Sequence, residues 1–334
     1  MPARQRIGIL MSSGPWAVQE ACADMDDIDL PGIMLPEDFG EHVADLDAVI
    51  ISNDFYTPEV ARLIFTAAPR LRWIQSSSTG YEHLDQLGAP RHLAVTEPGP
   101  IYSEIVAEHA VALLLALARG VLQMERYRLD RRWGLPAIIE HMVSIKDRNL
   151  LAIGFGQIGQ ETARRVRGFG MSVTALVRRQ PPPEIANLAD RIVFREQLHE
   201  ALGVADCVLL GIPLTNETHR FIDAAEFAAM KPGAILLNMA RGPVLNEDAM
   251  IAALQSGHLG GAGLDVFEVE PLAKESPLWG LENVIISPHL SAAGDNHGGR
   301  RFGAVARENI RRFLAGERLI NPVPGYPDIA PPPA

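Results

Sequence analysis

The sequence predicts an α/β protein of two doubly wound parallel-sheet domains, and three observations carry that prediction. Short, almost wholly apolar runs alternate with helical stretches from end to end, the layout of open parallel sheets with helices on both faces. The chain has 334 residues, more than one hydrophobic core usually serves at about 150 residues per domain. The alternation also restarts after a connector near the middle, so a cleft between two such domains is the expected place for an active site.

Taken in order, "RIGILM", "DAVIIS", "RLRWIQSSS" and "LAVTEP" read as strands of a first sheet, with "PEVARLIFTAA" as a helix between two of them. One long helix is expected from Ser103 to Arg128, capped by Ser103 and carrying Glu104 in its first turn. Its middle is apolar nearly all round, so burial on more than one side is expected, between domains and in a subunit interface. A second series places strands at "NLLAIGFG", "SVTALVRR", "CVLLGIP", "AILLNMA", "GAGLDVF" and "NVIISPH". The final helix "RRFGAVARENIRRFLAGE" is expected to cross back onto the first domain. The domains are then residues 1–100 with 291–334, and 101–290. The tail "GYPDIAPPPA" is rich in proline and is expected to be disordered.

The formal net charge of −11 argues against nucleic acid or an anionic membrane as partner, because both require a basic surface. Any anion site must be local. Cys22 and Cys207 are too few for a disulfide framework and read as buried, reduced thiols of a cytoplasmic protein. The start "MPARQRIGIL" has no long apolar region before a cleavage site, and "AVALLLALA" is about half a membrane span. The histidines show no HxxxH spacing, so no metal is expected.

Gly154, Gly156 and Gly159 form GxGxxG between the apolar run "NLLAI" and the helical run "QETARRVRGFG". The motif alone is weak; in strand–turn–helix context each glycine has a task. Gly154 permits the tight turn, Gly156 lets a pyrophosphate approach the backbone, and Gly159 lets helix pack on strand. Gln157 and Ile158 then open a helix whose N–H groups and partial positive charge suit phosphates. The second domain therefore reads as a Rossmann-like dinucleotide-binding unit. An NAD site would place an acidic residue about twenty positions on, to accept from the ribose 2′-hydroxyl. Val177 stands there instead, followed by Arg178 and Arg179. Guanidinium forks suit a phosphate, so NADP(H) is the preferred cofactor and NAD(H) the second. A solvated basic edge after a strand is the alternative.

Three further segments, "NMARGPVLNEDAMIAAL", "GAGLDVFEVEPL" and "NVIISPHLSAAG", join "GFGQIG" and "VAEHAVALLLALAR". With them the chain resembles the D-isomer-specific 2-hydroxyacid dehydrogenase family over nearly its whole length, in particular an NADP-preferring, glyoxylate/hydroxypyruvate reductase-like branch. The most specific part is the ordered set Arg241, Glu270 and His289, each just after an expected strand. Their chemistry stands without the family. Reduction of a 2-keto acid needs a cation to hold the carboxylate and polarise the ketone, and an acid to protonate the alkoxide. Arg241 suits the first role by its permanent charge and His289 the second by a pKa near neutrality. Glu270, bonded to the imidazole, would favour its charged form. Singly, each would read as an ordinary surface or structural side chain.

The resemblance implies further assignments. Backbone N–H groups near Ser78, Thr79 and Gly80 would bind the substrate carboxylate, and Asp265 would contact the nicotinamide carboxamide. Val106 would pack against that ring, Ile212 and Pro213 would flank the adenosine side, and Met239 and Ala240 would line the cofactor beside Arg241. Glu108 and His109 are assigned structure near a dimer contact, which makes a homodimer the expected assembly. Where many relatives have Asn, this chain has Ile101-Tyr102, and Tyr81 and Glu82 follow the substrate loop. Tyr81, Tyr102 and Trp133 would either narrow the pocket to glyoxylate and hydroxypyruvate or welcome a phenyl or branched 2-keto acid. A phosphite dehydrogenase on the same scaffold and a non-catalytic dinucleotide sensor are the alternative functions.

Overall fold

A computed structural model of the chain describes residues 4–140, 142–293 and 296–332, without the side chains of Glu82, Asn296 and His297. Two compact units result: Met1–Ile101 with Asp295–Ala334, and Tyr102–Gly294. Their sheets are built from the apolar runs. In the first unit, β1 (Gln5–Leu10), β2 (Ile28–Asp29), β3 (Ala48–Ile51), β4 (Trp73–Ser76) and β5 (Ala94–Thr96) form a five-stranded sheet in the order β2-β1-β3-β4-β5. Every pairing is parallel, and the order is that of flavodoxin-like sheets. In the second unit, β6 (Asn149–Ile153), β7 (Ser172–Leu176), β8 (Arg191–Val193), β9 (Cys207–Leu210), β10 (Ala234–Asn238), β11 (Leu259–Leu264) and β12 (Val284–Ile286) run β12-β11-β10-β9-β6-β7-β8. All of these pairs are parallel too. The order reverses between β6 and β9, the switch point beside which such sheets bind ligands.

The strands read as continuous apolar runs because both faces of each sheet are covered. Alternate residues serve separate cores. Leu151, Ile153, Val208 and Leu236 face one core of the second unit, and Leu150, Ala152, Leu209 and Leu237 face the other. In the first unit Val49 and Ile74 belong to one core, and Ile7, Ile9, Ile50 and Trp73 to its opposite. Phe302, Ala306, Ile310 and Phe313, one stripe of the helix Asn296–Ala315, close that second core. The C-terminal helix thus belongs to the first unit.

Three expectations are corrected. The single helix expected from Ser103 to Arg128 is two, Ser103–Ala118 and Val121–Leu129, because Gly120 takes the left-handed conformation at φ 64° and ends the first helix. Ser103 is not its cap: a 3₁₀ turn, Pro100–Tyr102, runs straight into the helix and puts Tyr102 at the cap position. The tail expected to be disordered lies packed through residue 332. Ala89 N–H donates to Tyr326 Oη at 3.2 Å, Arg91 stacks on the Tyr326 ring, Arg72 donates to the Pro331 carbonyl, and Ala330 is buried. Its prolines bring no backbone N–H to satisfy and little chain entropy to lose, so a few contacts hold it.

By length and composition the helical stretch Pro100–Ala118 would also suit a membrane. Here Ala110, Leu113, Leu114 and Ala118 are instead buried in a core shared with β6, β7 and β10.

Candidate active site

The glycine loop follows β6. Gly154 has φ 91°, and a β-carbon there would meet the Gly211 carbonyl and Ile212 at 2.6 Å. A β-carbon on Gly159 would stand 2.5 Å from the Gly154 carbonyl, whereas one on Gly156 would meet nothing within 4 Å. Turn and helix are therefore jammed together at two glycines and open at the third, as a cradle for a diphosphate requires. Gln160, buried, fastens the turn by donating to the Phe155 carbonyl at 3.0 Å. Gly156 caps the helix Gln157–Arg167, and the first-turn N–H groups, those of Gln157 and Ile158 among them, have no intrahelical acceptor. Gly211 N–H donates to the Ile153 carbonyl at 2.9 Å, which sets Ile212 and Pro213 beside this loop.

Arg178 and Arg179 follow β7 after Val177, both exposed. Neither has a hydrogen bond or ion pair among the described residues. Neighbouring arginines are committed: Arg165 reaches Glu161 and Glu108, Arg167 reaches Asp190, and Arg191 reaches Glu200.

Arg241, Glu270 and His289 come from the ends of β10, β11 and β12, neighbours in the sheet. Asn238, fully buried, builds the turn that presents Arg241: its Oδ1 accepts from Ala240 N–H at 3.1 Å and its Nδ2 donates to the Arg241 carbonyl at 3.3 Å. Met239 and Ala240 are buried beneath this turn. A β-carbon on Gly242 would overlap the Phe267 carbonyl group and crowd Glu268 N, so the Arg241 turn lies against the segment that leads from β11 to Glu270. Glu270 accepts from Phe267 N–H at 3.0 Å through Oε1 and pairs with His289 Nδ1 at 2.7 Å through Oε2. Its peptide bond to Pro271 is cis.

Asp265 sets the third residue. It is 1 % exposed, and its carboxylate accepts from Ser287 Oγ at 2.6 Å, Leu290 N–H at 2.9 Å and Ser291 N–H at 3.1 Å. Its carbonyl accepts from His289 N–H at 2.8 Å. The turn so bound holds His289 at φ 51°, a conformation that a residue other than glycine adopts only when its surroundings enforce it. The charges cooperate. Burial opposes ionisation of Glu270, but the bond from His289, the Phe267 N–H and nearby Arg241 hold its carboxyl below the usual carboxylate range. The bond to Glu270 raises His289 above an ordinary imidazole, against the opposing pull of its partial burial and of Arg241.

Other expected site residues lie on other elements. Val106 is buried on the helix Ser103–Ala118 in the same core as Phe155. Tyr102 is half-buried there, its phenol pushed up to about 12 by burial. Glu108 pairs with Arg165 at 3.2 Å, and His109 Nε2 lies 4.0 Å from Asp265 Oδ1. Trp133 is 93 % exposed. Ser78, Thr79 and Gly80 follow β4 in the first unit. Ser78 N–H is turned inward to Ser76 Oγ at 3.3 Å, whereas Thr79 and Gly80 N–H have no acceptor among the described residues.

Sequence reasoning missed Asn238, Gln160, Gly242 and the Ser287–Ser291 contacts of Asp265. Gly242, directly after Arg241, was the one readable signal; the others act only once distant strand ends meet.

Residues 111–291 match a family model described as D-isomer specific 2-hydroxyacid dehydrogenase, NAD binding domain. The glyoxylate reductase of Thermococcus gammatolerans is 35 % identical over 284 residues, 83 % of this chain and 82 % of that protein. Among solved structures, the holo D-mandelate dehydrogenase of Rhodotorula graminis is 26 % identical and superposes with a TM-score of 0.84 over 99 % of this chain and 100 % of that one. A D-isomer specific 2-hydroxyacid dehydrogenase of Xanthobacter autotrophicus Py2, solved in complex with NADPH and MES, is 28 % identical with a TM-score of 0.77, covering 97 % of this chain and 99 % of that one. With a dinucleotide cradle at one strand end and polar side chains converging at three others, the chain belongs to the D-isomer specific 2-hydroxyacid dehydrogenase family, oxidoreductases acting on a CH–OH group.

Proposed function

We propose that the protein reduces small 2-keto acids to D-2-hydroxy acids with NADPH, with glyoxylate and hydroxypyruvate as leading substrates. The observation that carries this is the 2.7 Å bond between His289 Nδ1 and Glu270, beside Arg241 and in the unit that holds the glycine loop. A carboxylate can only accept, so the Nδ1 proton stays on the ring and Nε2–H is the proton to be given. When bound, the nicotinamide supplies the hydride to the ketone carbon. Arg241 holds the substrate carboxylate and draws charge toward the ketone oxygen; His289 delivers its Nε2 proton to that oxygen and is left neutral. Glu270 then favours reprotonation from water. Thr79 and Gly80 N–H receive the carboxylate, which makes the first unit the substrate-binding one.

Asp265 contacts the carboxamide, Val106 the nicotinamide ring, and Ile212 and Pro213 the adenosine side, while Met239 and Ala240 line the cofactor. Arg178 and Arg179, exposed and uncommitted, select the 2′-phosphate; the NADPH bound to the Xanthobacter relative supports this. Val121, Leu129, Trp133, Leu135 and Ile139 expose apolar surface within one stretch, which supports a homodimer formed through it. The protein works in the cytoplasm.

The test is initial-rate oxidation of NADPH and NADH against glyoxylate, hydroxypyruvate, pyruvate and phenylglyoxylate, with phosphite assayed in the reverse sense. NADPH-dependent turnover led by glyoxylate or hydroxypyruvate is expected. A profile led by phenylglyoxylate would overturn the small-acid assignment, and cofactor binding without turnover on any of them would overturn the reductase.

A further inference from the structure

The first unit carries a buried polar chain that the proposed reaction does not use. Gln75 of β4, Thr96 of β5 and Asn309 of the helix Asn296–Ala315 are all fully buried. Gln75 and Thr96 are register partners in the sheet. Gln75 Oε1 accepts from Thr96 Oγ1 and from Asn309 Nδ2, each at 2.8 Å, and Trp73 Nε1 donates to Thr96 Oγ1 at 2.8 Å. Asn309 is itself held, its Oδ1 accepting from Ile320 N–H at 2.8 Å and its Nδ2 donating to the Ile320 carbonyl at 3.2 Å.

From Gln75 the bonds run in one direction. Its Nε2 donates to the Ser76 carbonyl at 2.8 Å. Ser76 Oγ donates to the Ser78 carbonyl at 2.8 Å and accepts from Ser78 N–H at 3.3 Å; Ser78 Oγ donates to the Gly80 carbonyl at 2.6 Å. Ser77 N–H is taken by the Ile51 carbonyl at 2.9 Å. The carbonyls of Ser76, Ser78 and Gly80 are thus tied within the protein, and Thr79 and Gly80 N–H remain open.

An apolar strand has no need of a glutamine at full burial, since such a group costs stability unless every polar atom is satisfied. Here the satisfied network ends in the loop that must present N–H groups to an anion. We propose that Gln75 and Asn309 are positioning residues: they hold the turn Ser76–Gly80 in the shape that points Thr79 and Gly80 N–H at the substrate carboxylate. This rests on the carboxylate role given to that loop above.

The test compares Gln75→Met, Asn309→Leu, Ser76→Ala and Thr79→Pro in the full chain, measuring KM and kcat for glyoxylate, the Kd of NADPH by fluorescence, and Tm. Gln75→Met and Asn309→Leu should raise the glyoxylate KM about tenfold, with the Kd of NADPH unchanged and Tm lowered. Ser76→Ala cuts the chain beyond the core and should raise KM similarly at nearly the parent Tm and kcat. A Ser76→Ala protein with the parent KM overturns the proposal, whether or not the core variants fold. So do folded Gln75→Met and Asn309→Leu proteins that lose Tm but keep the parent KM, because their role is then stability alone. Thr79→Pro, which deletes one presenting N–H, separates the two ideas. If it alone raises KM, the loop binds carboxylate without help from Gln75; if no variant does, the loop's role falls and the proposal with it.

Discussion

Single residues set the proton chemistry. His289 titrates above an ordinary imidazole because Glu270 binds it, so its charged form survives to higher pH than an unperturbed histidine's. In the reaction proposed above, reduction consumes that form. Its rate should therefore hold on the acid side and fall as pH rises through the raised His289 pKa, while oxidation of the hydroxy acid, which needs the neutral ring, should gain over the same range. In Glu270→Gln the bond loses its charge, and the falling limb of kcat/KM against pH should move to lower pH. An unmoved limb would remove Glu270 from the role of tuning His289. A second expectation concerns Arg178 and Arg179. Their double replacement by Ala should raise the KM for NADPH at least tenfold more than that for NADH, read from paired titrations of both cofactors; an equal rise would mean that the arginines do not recognise the 2′-phosphate. The pair was readable because an acidic residue was expected at that strand end and Val177 stood in its place. Asp265 was not readable in the same way: its several acceptor contacts with Ser287, Leu290 and Ser291 depend on β11 and β12 lying side by side.

At the scale of elements, strand ends do the assembling. β10, β11 and β12 are adjacent and parallel, so the turns after them share one edge of the sheet. Gly242 keeps two of those turns in contact, since any side chain there would enter the Phe267–Glu268 backbone. Gly242→Ala should leave a folded protein that still binds NADPH, since the glycine loop after β6 is untouched, but lower kcat/KM by about a hundredfold or more, the scale expected when catalytic groups shift by about 1 Å. Normal turnover in that variant, measured beside its far-ultraviolet circular dichroism, would show the contact to be dispensable. The long strands were readable from apolar runs covered on both faces. The strands β2 and β8 were not, because Ile28–Asp29 and Arg191–Val193 are short and include a charged residue, unlike the equally short but wholly apolar Val284–Ile286. The break at Gly120 was visible as a glycine, yet the strong helix formers on either side hid it.

For the whole molecule, an exposed apolar stretch runs around Trp133, with Val121, Leu129, Leu135 and Ile139 exposed beside it. If it forms the homodimer, Trp133→Glu should shift the mass measured by light scattering from dimer toward monomer at micromolar concentration. An unchanged dimer would place the interface elsewhere. The tail shows the opposite case, a segment whose composition reads as disordered but which finds acceptors and rings on the first unit. Composition reports what a segment can bury by itself, and the tail borrows surface from Arg72, Ala89 and Arg91.

The sequence by itself determined the parallel α/β architecture and the glycine loop, both carried by local pattern in apolar runs and glycine spacing. Arg241, Glu270 and His289 stood out only as an ordered set, through the resemblance to a family. Tertiary structure alone decided which of these residues touch, how Asp265 and Gly242 hold them, and how Asn309, more than two hundred residues beyond Gln75, comes to support a loop at the end of β4. Those contacts join segments far apart in the chain, and a hydrogen bond between them leaves no periodic trace in the order of amino acids.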